Sequence, residues 1–268
     1  MAEVLADAGA DPFGLGFGVA ILAAALSVIG SLVAFACVGH SRYSHKFRVV
    51  WLAAAAVSLG GVGQWLANSV ALLGLRIPGT QILYTPSLAT AALAVSVAGA
   101  LGGLLLAGTS FDLRRLVAGG LTMGLASGLS TYLTLDALAI RGRVSESLWL
   151  IGAASLVAML VSTATLWMLQ SVRRLRLRLP AALVFAAGVA ATYYLAFAAL
   201  DFHVDPEGRA PGGLTLFAVV FPMFVLGTLG LTLPITAVLI APDRRDQTPQ
   251  TPTRPARPAF ASAGKNSR

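Results

Sequence analysis

The sequence predicts an all-α fold: a polytopic membrane bundle of seven transmembrane helices, arranged as three hairpin repeats plus one helix. Three observations carry that expectation. Seven runs free of Lys, Arg, Asp and Glu occupy 12–41, 49–75, 77–111, 116–135, 147–172, 179–200 and 210–242. Each reaches the length of about 20 helical residues that crosses a hydrocarbon core of roughly 30 Å. The composition, 57% hydrophobic and 11% charged with a mean hydropathy of +0.80, leaves too little polar surface to coat a water-soluble core. The charges between the runs also alternate sharply in number from gap to gap.

Within the runs we place helices near 14–38, 49–73, 87–108, 116–136, 148–171, 180–201 and 214–240. The first is not read as a cleavable signal, since Met1 to Pro12 has three acids and no basic residue where an n-region should be. It carries the only cysteine, Cys37, which cannot form an internal disulfide and reads as a small buried hydrophobe. Small residues on the first, third and fourth helices offer packing faces: Gly14 with Gly18, Gly99 with Gly103, and Gly120, Gly124 and Gly128. The seventh helix contains Pro222 and Pro234, each of which removes a backbone donor. Three segments follow: a short extracytoplasmic N-terminus over 1–13, the bundle over 14–240, and a Pro-, Thr- and Arg-rich tail over 241–268 expected to be disordered.

Lys and Arg are held on the cytoplasmic side during insertion, so their distribution orients the chain. With the amino terminus outside, the inner segments hold Arg42, Lys46 and Arg48, then Arg114 and Arg115, then Arg173, Arg174, Arg176 and Arg178, and six more in the tail. Only Arg76, Arg141, Arg143 and Arg209 fall outside. The expected placement is therefore a multi-pass protein of the plasma (inner) membrane, N-terminus out and C-terminus in the cytoplasm. A net charge of +8 distributed this way suits a leaflet of anionic lipid. Membrane lipid is the expected partner, with a membrane or cytoplasmic protein as a further candidate and nucleic acid excluded.

Catalysis has no visible apparatus: no nucleophile elbow, phosphate-binding glycine loop, HExxH pair or CxxC is present. The chain is expected not to be an enzyme. Both lysines, Lys46 and Lys265, lie outside the spans, which removes a retinal Schiff base. Asp136 and Asp201 sit at helix ends within reach of water. Of the histidines, His40 and His45 flank the first inner loop and His203 follows the sixth helix, with none at mid-membrane.

A weak repeat appears when the even-numbered helices are superposed. In each, small residues precede a polar or aromatic pair near the outer third: Asn68 with Ser69, Thr131 with Tyr132, and Tyr193 with Tyr194. In the first repeat Trp65, Leu72, Arg76, Pro78 and the run from Tyr84 to Leu88 complete a pattern; Met123, Gly124 and Tyr132 follow it in the second and Tyr194 in the third. On these residues the chain resembles the MHYT integral membrane sensor domains of bacteria. The resemblance implies three hairpins and the sensing of oxygen, carbon monoxide or nitric oxide through copper. Yet the family's histidine positions fall on Asn68, Thr131 and Tyr193, and its methionine positions on Ala67, Ser130 and Thr192. Imidazole and thioether are the ligands copper would want there. The expectation is therefore a scaffold without metal, acting as a sensor or signalling protein. Its candidate outer pocket comprises Trp65, Asn68, Ser69, Thr131, Tyr132, Tyr193 and Tyr194. A structural or assembly subunit of a membrane complex and a small permease are the alternatives.

Overall fold

The computed structural model describes residues 14, 16–43, 46–76, 82–108, 111–140, 142–172, 174–204 and 212–240. The expected extracytoplasmic N-terminus and disordered tail, along with His45, Pro78, Arg141 and Arg209, lie outside them. Among the described residues seven helices are long and apolar enough to cross a membrane: α1 (Phe17–Ser41), α2 (Arg48–Leu72), α3 (Pro86–Ala107), α4 (Leu113–Asp136), α5 (Leu148–Ser171), α6 (Leu175–Phe197) and α7 (Leu216–Ile240). The protein is a multi-pass membrane bundle. Its outer surface agrees, since side chains such as Leu160 (71% exposed) and Leu226 (68%) would be a liability in water and are at home in lipid. Trp149 and Trp167 stand exposed near opposite ends of α5, where indole rings favour the two interfaces.

Helix α2 is the hub. It packs against α1, α3, α4, α6 and α7, and its share of buried residues is the highest of the seven. Glycine makes that density attainable: a Cβ at Gly30 of α1 would sit 2.5 Å from the Ser58 carbonyl oxygen, and one at Gly60 would sit 2.6 Å from the Ser96 carbonyl oxygen. Backbones therefore touch where α1, α2 and α3 cross. The middle of α2, Val57–Leu66, is wound as a π-helix, a wide i→i+5 turn that shows no sequence period of its own. Two of its carbonyls are reached from neighbouring helices: Ser27 Oγ of α1 donates to Gly63 O at 2.6 Å, and Ser96 Oγ of α3 donates to Gly60 O at 2.8 Å.

The predicted seams are only partly realised. Gly120, Gly124 and Gly128 face Thr163, Met159 and Ser155 of α5, while Gly99 and Gly103 face Ala126 and Met123 of α4. Gly14 and Gly18 form no seam: Gly14 meets the side chain of Arg76, and Gly18 has nothing within 4 Å. Helix α6 starts five residues earlier than the charge count places it, so Arg176 and Arg178 are helical and not loop residues. The first N–H groups of a helix have no intrahelical acceptor, and Pro180 removes just one donor beyond them. The helix stops at Phe197 because the following residues join a sheet.

Five short strands tie together the loops at the end opposite the arginine-rich one. Strand β1 (Leu83–Tyr84) pairs antiparallel with β2 (Leu138–Ala139) on one side and β5 (Leu214–Thr215) on the other. Strand β3 (Gly142–Glu146) pairs with β4 (Leu200–Val204), setting Ser145 opposite Asp201. Beneath this cap lies an apolar cluster with Trp65, Val70, Tyr84, Leu135, Tyr193 and Phe197. A second cluster, with Phe35, Leu52, Leu59, Leu104, Leu166 and Phe185, fills the arginine-rich half. Cys37 is fully buried in the second, as a small hydrophobe should be.

Candidate functional site

Between the two apolar clusters runs a seam of uncharged polar groups. Gln64 and Asn68 are one helical turn apart on α2, and Ser127 and Thr131 are one turn apart on α4, so the two pairs face each other as rungs. Gln64 Nε2 donates to the carbonyl oxygen of Ser127 at 3.2 Å and also to Ser127 Oγ. Asn68 Nδ2 donates to Thr131 Oγ1 at 3.2 Å, and Thr131 Oγ1 donates in turn to Ser127 O at 3.0 Å. All four side chains are buried. In lipid an unpaired amide is costly, which explains why both amides are bonded across the helix interface.

Next to the seam is a cavity of about 10 Å³ lined by Gln64, Asn68, Ser127, Thr131, Ser162 and Thr192, among others. That volume is close to the minimum for one water molecule. A second small cavity, also about 10 Å³, lies between α4, α5 and α6 against Thr131, Tyr132 and Thr192. Thr192 thus touches both cavities and joins α6 to the seam.

The structure brings together only part of the sequence-predicted set. Asn68 and Thr131 meet directly. Trp65 and Tyr193 are buried in the apolar cluster beneath the cap, where Tyr193 stacks on Phe197 at 6.4 Å between ring centroids and meets Tyr194 edge-on at 5.1 Å. Ser69 turns back on its own helix and donates to Trp65 O at 2.9 Å. Tyr132 points away from the seam to the rim, where its hydroxyl lies 3.2 and 3.3 Å from the two carboxylate oxygens of Glu146 on β3. Gln64, Ser127 and Ser162 were not in the predicted set. A second amide one helical turn before Asn68, in the same charge-free run, was the available signal for Gln64.

Two buried polar atoms near the cap lack a hydrogen bond of good geometry among the described residues: Trp65 Nε1 and Tyr84 Oη. Burial pushes the Tyr84 phenol well above its ordinary range, and the Ser69 hydroxyl, which favours the ionised form, offsets only part of this. A phenol whose pKa is raised on folding contributes its stability fully below the unfolded value, about 10, and loses it progressively as pH rises further. Tyr84→Phe is therefore expected to flatten the fall in stability above about pH 10. Thermal melts in detergent between pH 8 and 11 check this; parallel curves for the two proteins would disprove it.

Copper does not fit this donor set. Asn68, Thr131 and Tyr193 offer an amide already committed to Thr131, a hydroxyl and a phenol in place of imidazoles. Among the described residues no three His, Cys, Asp or Glu stand close enough to hold a metal ion. His40 stacks on Trp51 with ring centroids 5.0 Å apart. No family model matches the chain, and neither a curated protein nor a solved structure matches it.

Proposed function

We propose that this chain is a non-enzymatic membrane sensor or signalling protein, MHYT-like in its hairpin plan but without bound copper, whose input is the α2–α4 polar seam. The observation that supports this reading is the coupling of that seam to the π-wound stretch of the hub helix. Gln64 lies inside the π stretch and Asn68 just beyond it, so any molecule that competes for their hydrogen bonds acts on the winding of α2 itself. Wide turns of this kind occur often at functional sites. Helix α2 then runs unbroken to Arg48 at the arginine-rich end, which we assign to the cytoplasmic face on the charge distribution.

The size of the cavity limits the ligand to a neutral hydrogen-bonding molecule of a few heavy atoms, or to one that parts the seam as it enters. Fluorescence of Trp65, read in a variant whose other three tryptophans are Phe, tests this in nanodiscs. Nitric oxide, carbon monoxide, hydrogen peroxide and formamide serve as probes. At least one is expected to give a saturable change that an Asn68→Leu, Thr131→Val double substitution abolishes. Identical responses in the double variant, or one equivalent of copper in the purified protein, would overturn the reading.

A further inference from the structure

At the arginine-rich end the bundle has another cavity, of about 20 Å³, lined by residues of α1, α2, α3 and α5 that include Ser41, Arg42, Arg48, Gly108 and Gln170. The C-termini of α1, α3 and α5 converge on this end, and their last carbonyls need donors. Arg42 Nη2 supplies the Leu169 and Gln170 carbonyls at 2.7 and 3.1 Å, and Gln170 Nε2 supplies the Ala107 carbonyl at 3.0 Å. Gly108, at φ 68° and ψ −161°, ends α3 in a positive-φ conformation open mainly to glycine and brings the chain round beside the Arg115 guanidinium. After that capping two groups on the same cavity are left over. Arg48 Nε–H, a donor with a full charge, and Gln170 Oε1, an acceptor, are both buried without a partner among the described residues.

We propose that this cavity seats the headgroup of an anionic phospholipid, its phosphate on the Arg48 guanidinium and a headgroup hydroxyl donated to Gln170 Oε1. A guanidinium matches phosphate oxygens in charge and in fork geometry. The cavity itself admits a group the size of a water molecule, so the hydroxyl enters, its oxygen accepting from the buried Arg48 Nε–H, and the phosphate stays at the mouth on the terminal guanidinium nitrogens. Lipid is favoured over free phosphate because exposed apolar side chains stand next in sequence to the lining residues Arg48, Leu104 and Ala107: Val49 and Val50 on α2, Leu105 and Leu106 on α3. Acyl chains lie along such faces when the headgroup is held at the membrane boundary. Basic pockets between helices at the arginine-rich face are a recurring lipid-binding arrangement.

Native mass spectrometry of the full chain, released from detergent with phosphatidylglycerol or phosphatidylcholine, tests the site. One phosphatidylglycerol per chain is expected to be retained, with retention about tenfold weaker in Arg48→Gln and in Gln170→Leu. Arg114→Gln, an exposed arginine at the same end, is expected to match the parent protein. Equal retention of phosphatidylcholine, or an equal loss in Arg114→Gln, would overturn the proposal by reducing it to general charge. Inorganic phosphate alone is expected to leave the melting temperature unchanged; protection equal to the lipid's would reassign the site to the free anion and overturn the lipid. If Arg48→Gln folds poorly, Arg48→Lys keeps the charge but loses the Nε–H, and unaltered lipid retention in that variant would also overturn the proposal.

Discussion

Gly30→Ala is expected to be among the most destabilising single-methyl changes in the bundle, lowering stability by roughly 3 kcal/mol. The obstacles are main-chain atoms. The added Cβ would lie 2.5 Å from Ser58 O, 2.7 Å from Gly63 N and 2.8 Å from Gly63 Cα. A side chain can rotate out of such a clash, but these atoms belong to the π-wound stretch of the helix that every neighbour except α5 grips. Relief requires α1 to separate from α2, which takes the Ser27 to Gly63 hydrogen bond with it. Gly152→Ala on α5 is the control, since its Cβ meets nothing within 4 Å. There the usual gain from replacing a helical glycine, up to about 1 kcal/mol, should appear instead. Denaturation of both variants by SDS from mixed micelles measures the difference; equal stabilities would show that the α1–α2 contact is not backbone-tight.

How much of this arrangement can be read from the sequence follows from what each signal reports. A charge-free run reports the part of a helix that lies in lipid, and the seven spans duly appear in order. It does not report where the helix begins, because an arginine on a first turn can extend its stem along the lipid and place its charge in the headgroups. That is why α6 contains Arg176 and Arg178. The candidate site suffered from a simpler geometric limit. Adjacent residues on a helix point about 100° apart, so the pairs Asn68 with Ser69, Thr131 with Tyr132 and Tyr193 with Tyr194 cannot all face one pocket. One member of the first two pairs enters the seam, and the other bonds its own helix or the rim. The second amide of the seam is found four residues before Asn68, at Gln64, a spacing that a pairwise reading of the repeat passes over. The π stretch leaves no mark on hydropathy at all. What accompanies it is tertiary: two serines on different helices, each donating to a carbonyl of this glycine-rich segment.

Those serines yield the second large effect. Ser27→Ala and Ser96→Ala each leave a buried carbonyl of the π stretch without its donor, and each is expected to cost about 1.5 kcal/mol, near the upper end for a hydrogen bond inside a membrane protein. The informative quantity is the double variant. Gly63 O and Gly60 O lie on one stretch of ten residues, so if that stretch holds its winding as a unit, losing either hydroxyl already frees it. The double variant should then be little worse than either single, well short of additivity. Amides between Val57 and Leu66 should exchange faster with deuterium in all three variants. Ser155→Ala, whose hydroxyl bonds Ile151 O four residues back on its own helix, should leave that exchange unchanged. Strict additivity with no change in exchange over 57–66 would mean that the two hydroxyls are independent local bonds. The hub helix would then have one fixed winding, and the seam at Gln64 and Asn68 would have no mobile element to act on.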